Sequence, residues 1–366
     1  MSSILIATDA ALEAAAEQLA AGPRLALDTE FMRERTYYAE LALLQLGGST
    51  GIALIDPLAA VDRALLGAVL AVPGQLKVLH AARQDIEVLL PVTGAPLAPV
   101  FDTQVAAGLL GYAPQIGYGE LVLRELGQVL EKGQARTDWT RRPLSAAQLE
   151  YAADDVRWLL PLAAQLEQKL AALGRLAWLA DDLAAIADPR LYRVDPAEAW
   201  QRLKGIESLP VPEQLRLRAL AAWRESRAMR RNLPRGWVLT DDAARSLARR
   251  PPATIAAIKA LEVMPPGAAD KMGEELLAAL AAAGTASGDG LAQRPDARPE
   301  LAERERTRRL GECLREIATG LALAPEVLAT QRDLRRMARG EAVATVLAGW
   351  RLAMLAGPLE AELARG

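Results

Sequence analysis

The chain has 366 residues, enough for two or three domains, and it is 51% hydrophobic but only 4% aromatic, an Ala- and Leu-rich balance that leans towards helix. One cysteine, Cys313, and one histidine, His80, exclude an internal disulfide, a cysteine-based zinc cluster and any site built on two imidazoles. The net charge of −3 divides unevenly: residues 1–190 hold 15 basic and 23 acidic side chains and the rest 28 and 23, so the second half is the part that hints at nucleic-acid contact.

No run of about eighteen uncharged apolar residues is present, and Met1-Ser2-Ser3-Ile4 offers no basic region ahead of an apolar stretch. A protein without membrane association, in a reducing cytoplasm, is expected. With one imidazole available, acid–base and metal chemistry falls mainly on carboxylates, Tyr, Lys or water. Hard oxygen ligands select Mg2+ or Mn2+ over zinc.

In chain order, Arg24–Phe31 reads as a strand with Asp28 and Glu30 near its end, 40–46 as a second strand closed by Gly47-Gly48, and 51–56 as a third. Their short spacings suit an antiparallel meander. A helix at 61–71, a strand at 76–80 and a helix over 83–90 continue it, punctuated by Gly74 and Pro91. Phe101-Asp102-Thr103 ends another short strand, and helices follow to 112 and over 118–127. Ser145 is a good N-cap for one long helix running to 173. The sum is an α/β domain over 1–190, a mixed sheet flanked by helices.

After Asp188-Pro189 the strand signals stop. Residues 191–211 read as a linker and 212–283 as one small all-α domain, broken at Leu233-Pro234, Arg250-Pro251-Pro252 and Pro265-Pro266-Gly267, with helix starts at Thr240 and Thr254. The Gly/Ser/Pro-rich stretch 284–299 reads as a flexible linker. Residues 300–366 read as a second small all-α domain with breaks at Gly320, Pro325, Gly340 and Pro358.

Asp28 and Glu30 stand two apart on a strand and so face the same way. Deep in a sheet, two adjacent like charges are costly without a partner, and divalent cations would neutralise them; a strand end emerging into water is the plainer alternative. Asp85 sits in the first turn after the strand 76–80. The helix dipole favours an acid there by itself, but the carboxyl end of a sheet strand is also where open α/β sheets place ligands. Tyr151 and Asp155, four apart, share a helix face, whereas the neighbouring Asp154 is rotated by about 100°. Four carboxylates can hold two cations about 3.5–4 Å apart, the arrangement that clamps the attacking and leaving oxygens in phosphodiester hydrolysis. Arg216, Arg218, Arg224, Arg227, Arg230, Arg231 and Arg235, with Trp223 and Trp237, form a stripe suited to an RNA backbone, or a solvated surface.

These residues carry a resemblance. Leu27-Asp28-Thr29-Glu30-Phe31 resembles the first exonuclease motif of the DEDD superfamily, and Leu79 through Leu89 resembles the second. Tyr151-Ala152-Ala153-Asp154-Asp155-Val156 resembles the third in its tyrosine-bearing form. Arg136-Thr137-Asp138-Trp139 with Arg142-Pro143-Leu144 is similar to the approach to that motif in the bacterial ribonuclease D family, and the two helical tail segments resemble HRDC domains.

The resemblance implies a ribonuclease H-like fold followed by two HRDC-like domains. It implies a 3′→5′ exoribonuclease that releases 5′-mononucleotides, with transfer-RNA precursors as substrates. It gives metal-ligand roles to Asp28, Glu30, Asp85 and Asp155, two Mg2+ or Mn2+ ions as cofactors, and water activation to Tyr151. Thr29, Phe31, His80 and Arg142 become candidates for contact with substrate, His80 having a core hydrogen-bonding role as its alternative, and Asp102 reads as structural. Two other readings stand beside this one: a DNA-directed exonuclease, which would share the motifs, and a non-catalytic RNA-binding protein on a nuclease fold.

Overall fold

The structure, a computed structural model, describes residues 2–131, 133–134, 137–265, 267–284, 291 and 301–365. Gly284 and Leu291 apart, the stretch expected as a linker over 284–299 lies outside these residues, as do Arg136 and Pro266. The chain divides into two compact units. One comprises Met1–Met32, Glu40–Tyr192 and Glu300–Gly366, the other Arg33–Ala39 and Arg193–Pro299.

In the first unit, β1 (Ser3–Thr8) and α1 (Asp9–Ala20) precede the elements expected from sequence. There follow β2 (Arg24–Met32), β3 (Glu40–Gly47), β4 (Ile52–Ala60), α2 (Arg63–Leu70), β5 (Leu76–Leu79), α3 (Arg83–Thr93) and β6 (Val100–Asp102). The sheet runs β1-β4-β3-β2-β5-β6. β2, β3 and β4 are the antiparallel meander, while β1 joins β4, β5 joins β2 and β6 joins β5 in parallel. β2 is therefore interior, and its Leu25, Ala26 and Leu27 are wholly buried. Pro91 does not end α3. The helix closes at Gly94, whose left-handed backbone (φ 71°) lets its N–H reach the Leu90 carbonyl, a conformation glycine adopts without strain.

α4 (Thr103–Gly108) and α5 (Tyr118–Leu126) lead to α6 (Ala146–Arg157), α7 (Leu159–Ala172) and α8 (Leu176–Ile186). The single helix expected from Ser145 to 173 is two, separated at Trp158. Ser145 is the N-cap, in a capping box with Gln148. One apolar core fills the sheet face under α5, α6 and α7, with Leu43, Leu54, Trp139, Val156, Leu162 and Leu166. The opposite face, with Leu27, Leu44 and Ile55, packs with residues of α1, α2 and α3 such as Leu12, Leu66, Ile86 and Leu89.

The second unit holds α9 (Val211–Arg231), α10 (Arg235–Val238), α11 (Asp241–Arg249), α12 (Ile255–Ala260) and α13 (Ala268–Ala283) around Leu217, Leu220, Leu247, Ile258 and Leu276. Thr240 and Thr254 cap α11 and α12 as expected, each accepting a backbone N–H. Four arginines of the stripe bond within this unit. Arg216 bonds the Ala248 carbonyl, buried Arg224 the Leu239 carbonyl and Asp241, Arg227 pairs with Glu275, and Arg235 with Glu225. The 33–39 segment is fastened here too. Tyr37 donates its hydroxyl to Glu225, and Asn232 Oδ1 accepts the N–H groups of Tyr37 and Tyr38 at 3.1 Å each.

The last helices are α14 (Leu301–Leu321), α15 (Pro325–Leu328), α16 (Gln331–Ala338), α17 (Val343–Val346) and α18 (Gly349–Ala364). Gly320 and Pro358 sit inside helices rather than at breaks, while Pro325 starts α15 and Gly340 (φ 98°) follows α16. Residues of these helices, among them Leu310, Leu334 and Trp350, belong to the same apolar core as α5, α6 and α7. Trp350 stacks on Trp178 at 4.4 Å, Arg351 pairs with Asp182, and Arg175 bonds the Leu109 and Leu321 carbonyls at 2.7 and 2.6 Å.

The two five-helix runs repeat each other ninety positions apart. Thr240 and Thr330 cap α11 and α16, Asn232 and Ala322 take left-handed backbone at φ 49° and 51°, and Arg306 bonds the Ala338 carbonyl as Arg216 bonds that of Ala248.

Candidate active site

Asp28 and Glu30 point from β2 to the sheet face shared by Ala26 and Val156, the face that α6 covers. Helix and sheet meet closely at Gly47. A Cβ there would lie 3.3 Å from the Val156 carbonyl oxygen and 3.2 Å from the Ala26 Cβ, so a side chain would push α6 away. That approach brings Asp155 to the strand. Asp28, Glu30 and Asp155 each offer an oxygen within 4.8 Å of the others. Tyr151, one helical turn before Asp155, donates its hydroxyl to it and packs on Trp139 with ring centroids 6.1 Å apart. Asp154 turns away and pairs with Arg157 at 2.7 Å.

Asp85, buried in the first turn of α3, is not in that three-residue cluster. Its Oδ1 accepts the Thr29 hydroxyl at 2.6 Å, yet its charge acts on both Asp28 and Glu30. Asp102 fixes the chain just ahead of α3 by accepting the N–H groups of Ala81 and Ala82 at 3.1 and 2.8 Å, where Ala81 has a left-handed backbone (φ 59°). It also caps α4. That is the structural role expected of it.

The electrostatics are one-sided. Burial, then the charges of Asp155 and Asp85, pushes Glu30 up to about 9. Burial, then Asp85, Asp155 and Glu30, holds the Asp28 carboxyl well above the ordinary carboxylate range. Asp155 rises to about 7 through burial and the Asp154 charge, against the Tyr151 hydrogen bond. Asp85 rises to about 7 through burial, against the Thr29 hydrogen bond. Burial and the same carboxylates raise the Tyr151 hydroxyl, which stays protonated at neutral pH. The largest charges acting on Asp28 and Glu30 are those of other acids, an arrangement consistent with a divalent cation. All-oxygen donors suit hard divalent ions.

A family model described as 3′-5′ exonuclease matches residues 4–171, and the HRDC domain model matches 213–280. Ribonuclease D of Acidiphilium cryptum is 41% identical over 353 residues, covering 95% of this chain and 90% of the relative; that of Shewanella sp. is 34% identical with 94% and 90% covered. This chain belongs to the ribonuclease D family. The crystal structure of Escherichia coli RNase D, described as an exoribonuclease involved in structured RNA processing, superposes with a TM-score of 0.86 at 32% identity, covering 100% of this chain and 99% of that one. The motif carboxylates of this ribonuclease D-type 3′→5′ exoribonuclease thus lie on the fold that its relatives share.

Two residues expected at the substrate are engaged elsewhere. All five N–H donors of Arg142 are used: Nε and Nη2 hold Asp56 at 2.6 and 2.7 Å, Nη1 the Trp139 and Arg141 carbonyls, and Nη2 also the Ala42 carbonyl. Ala42 lies where the β2–β3 register shifts, beside Glu30 and Phe31, so Arg142 fastens that part of β3. His80 takes its core alternative, with Nδ1 2.9 Å from the Thr103 hydroxyl and Nε2 3.0 Å from the Ile116 carbonyl, and burial favours its neutral form.

Thr29 is buried and spends its hydroxyl on Asp85. Phe31 is only half-buried at the site end of β2 and belongs to none of the three apolar cores among the described residues. Sequence reasoning missed Gly47, whose neighbour across the fold no spacing reveals, and Tyr118, a half-buried phenol on which the charges of Asp155 and Asp28 act.

Proposed function

We propose that the protein hydrolyses RNA from its 3′ end with two divalent cations, Mg2+ or Mn2+, releasing 5′-mononucleotides, and that Asp28, Glu30, Asp85 and Asp155 hold the ions. The observation that carries this is the convergence of three carboxylates within 4.8 Å beside a protonated phenol. Bound divalent ions would offset the charge of the scissile phosphate and make water a better nucleophile at neutral pH. The chain's own residues do the rest. Thr29 holds Asp85 in one orientation, and Tyr151, tied to Asp155 by its proton, presents its oxygen lone pairs to align the attacking water. Water adds to the terminal phosphorus and gives up a proton to solvent as the bond to the preceding 3′ oxygen breaks, and that oxygen takes a proton from solvent. Phe31 offers a ring on which the terminal base can stack.

Transfer-RNA precursors with extended 3′ ends are the proposed substrates, in keeping with the structured-RNA processing named for the Escherichia coli relative, and the cytoplasm is the proposed location. No helix among the described residues is long and apolar enough to cross a membrane. We assign residues 1–190 as the exonuclease domain, 212–283 as one HRDC-like domain and 300–366 as a second, with 191–211 and 284–299 as the joining segments, the first of which lends Trp200, Leu203 and Ile206 to the core of the second unit. The ninety-residue repeat supports the second copy.

The test is a time course on RNA and DNA oligonucleotides labelled at the 5′ end, with Mg2+, with Mn2+ and with chelator. A descending ladder on RNA that chelator abolishes is expected. Equal rates on DNA would remove the RNA assignment, and the absence of laddering on both polymers would leave an RNA-binding protein on a nuclease fold.

A further inference from the structure

α6 and α7 together span 146–172, and only Trp158 (φ −105°, ψ −2°) separates them. In an unbroken helix the Trp158 N–H would bond the Asp154 carbonyl, four residues back. Here the Tyr118 hydroxyl donates to that carbonyl at 3.2 Å. The Trp158 N–H is shared between the Val156 carbonyl and the same phenol oxygen. A side chain inserted in the i→i−4 ladder is one of the few physical causes of a helix break.

The inserted phenol is itself rigid. Tyr118 is the first residue of α5, and its ring lies 5.6 Å from that of His80, whose two nitrogens are pinned by Thr103 and Ile116. The break follows Arg157 directly, so it governs the last turn of α6, which carries Asp155. No repeat, spacing or motif residue marks this contact.

We infer that Tyr118 is a positioning residue: its hydroxyl holds the α6–α7 joint open and thereby sets the angle at which Asp155 meets Asp28 and Glu30. The inference rests on the proposed cation-dependent reaction. Tyr118→Phe keeps the ring but removes the wedge, so the Trp158 N–H and Asp154 carbonyl can rejoin and carry Asp155 with them. Groups that orient metal ligands without touching the ion typically change metal affinity or activity by about 10–100-fold.

Calorimetric titration of the full chain with Mn2+, paired with kcat and KM on a short RNA oligomer, tests this. Tyr118→Phe is expected to weaken Mn2+ binding and lower kcat, each by about tenfold, with KM and the metal-free melting temperature nearly unchanged. Tyr112→Phe, which removes a comparable hydroxyl bonded to buried Glu125, is the control and should bind Mn2+ like wild type. Wild-type Mn2+ binding and kcat in Tyr118→Phe would overturn the inference, as would an equal loss in Tyr112→Phe. A Tyr118→Phe protein without a cooperative melt would also overturn it, because the hydroxyl would then serve the fold. A wild-type chain that neither binds Mn2+ nor degrades RNA would instead overturn the proposed function.

Discussion

Glu225 is buried and the Asp28–Glu30–Asp155 carboxylates are half-buried, and the chain treats them oppositely. Around Glu225 stand Arg235, Arg202 and the Tyr37 hydroxyl. Burial pulls that carboxyl up, but hydrogen bonds from Arg235 and Tyr37 overcome it and leave the group below its usual range. Around Asp28 and Glu30 the charged neighbours are other acids, and both carboxyls rise. Arginine is supplied to one carboxylate, whereas the charges acting on Asp28 and Glu30 are those of other acids, a difference in keeping with the proposed cation site. On the proposed function, the contrast separates a carboxylate that serves stability from carboxylates that serve chemistry.

The largest expected effect tests the second half of that contrast. Asp155→Asn should lower kcat on a short RNA oligomer by at least about a thousandfold, because removing an interaction made to the transition state falls directly on the barrier. The same variant should melt no lower than wild type without metal, since one repelling charge is gone. A clear drop in the metal-free melting temperature would break the comparison.

Glu225→Gln is the mirror experiment. It should cost about 1.5–3 kcal/mol in denaturant unfolding, the range for hydrogen bonds to charged groups, while cleavage of the short oligomer stays near wild type. Wild-type stability in that variant would show that the arginines are decoration.

The comparison also fixes a pH dependence. The folded-state carboxyl of Glu30 is raised from 4.5 to about 9, so between those values the folded chain binds more protons than the unfolded one. Metal-free stability should therefore be highest near the low end and fall as pH rises through that window. Mg2+ or Mn2+, replacing the proton as counter-charge, should flatten the slope; melting curves at several pH values, with and without metal, would measure it. Stability that rises with pH over this range would contradict the raised carboxyls. The smallest effect is expected from Asp154→Asn, which loses a partly exposed pair with Arg157. Its kcat should stay within about twofold, and a large loss would mean that Asp154 faces the reacting phosphate.

Much of the fold was legible because it obeys local rules. Strands β2 to β6, the Ser145, Thr240 and Thr254 caps and the antiparallel meander follow from periodicity and capping chemistry. β1 and α1 escaped notice. The α6–α7 break was invisible because its cause, Tyr118, lies some forty residues away along the chain. Arg142 and His80 show the same limit. An arginine beside a motif suggests a phosphate, and only the fold shows that its five donors are spent on Asp56 and three carbonyls. The pairings of Arg224, Arg227 and Arg235 were likewise out of reach, since a segment reads as basic from sequence whether its arginines meet solvent or nearby acids.

The sequence by itself determined which chemistry was open to this protein. One histidine and one cysteine left carboxylates, and the spacing of Asp28 with Glu30 and of Tyr151 with Asp155 put each pair on a common face. Only the tertiary structure decided that the pairs meet, with Gly47 letting α6 close onto the sheet, and that Asp85 stands apart from the tight cluster, held by Thr29. The reason is physical. Periodicity fixes where a side chain points relative to its own helix or strand, whereas distances between elements depend on packing contacts that are set residue by residue across the core.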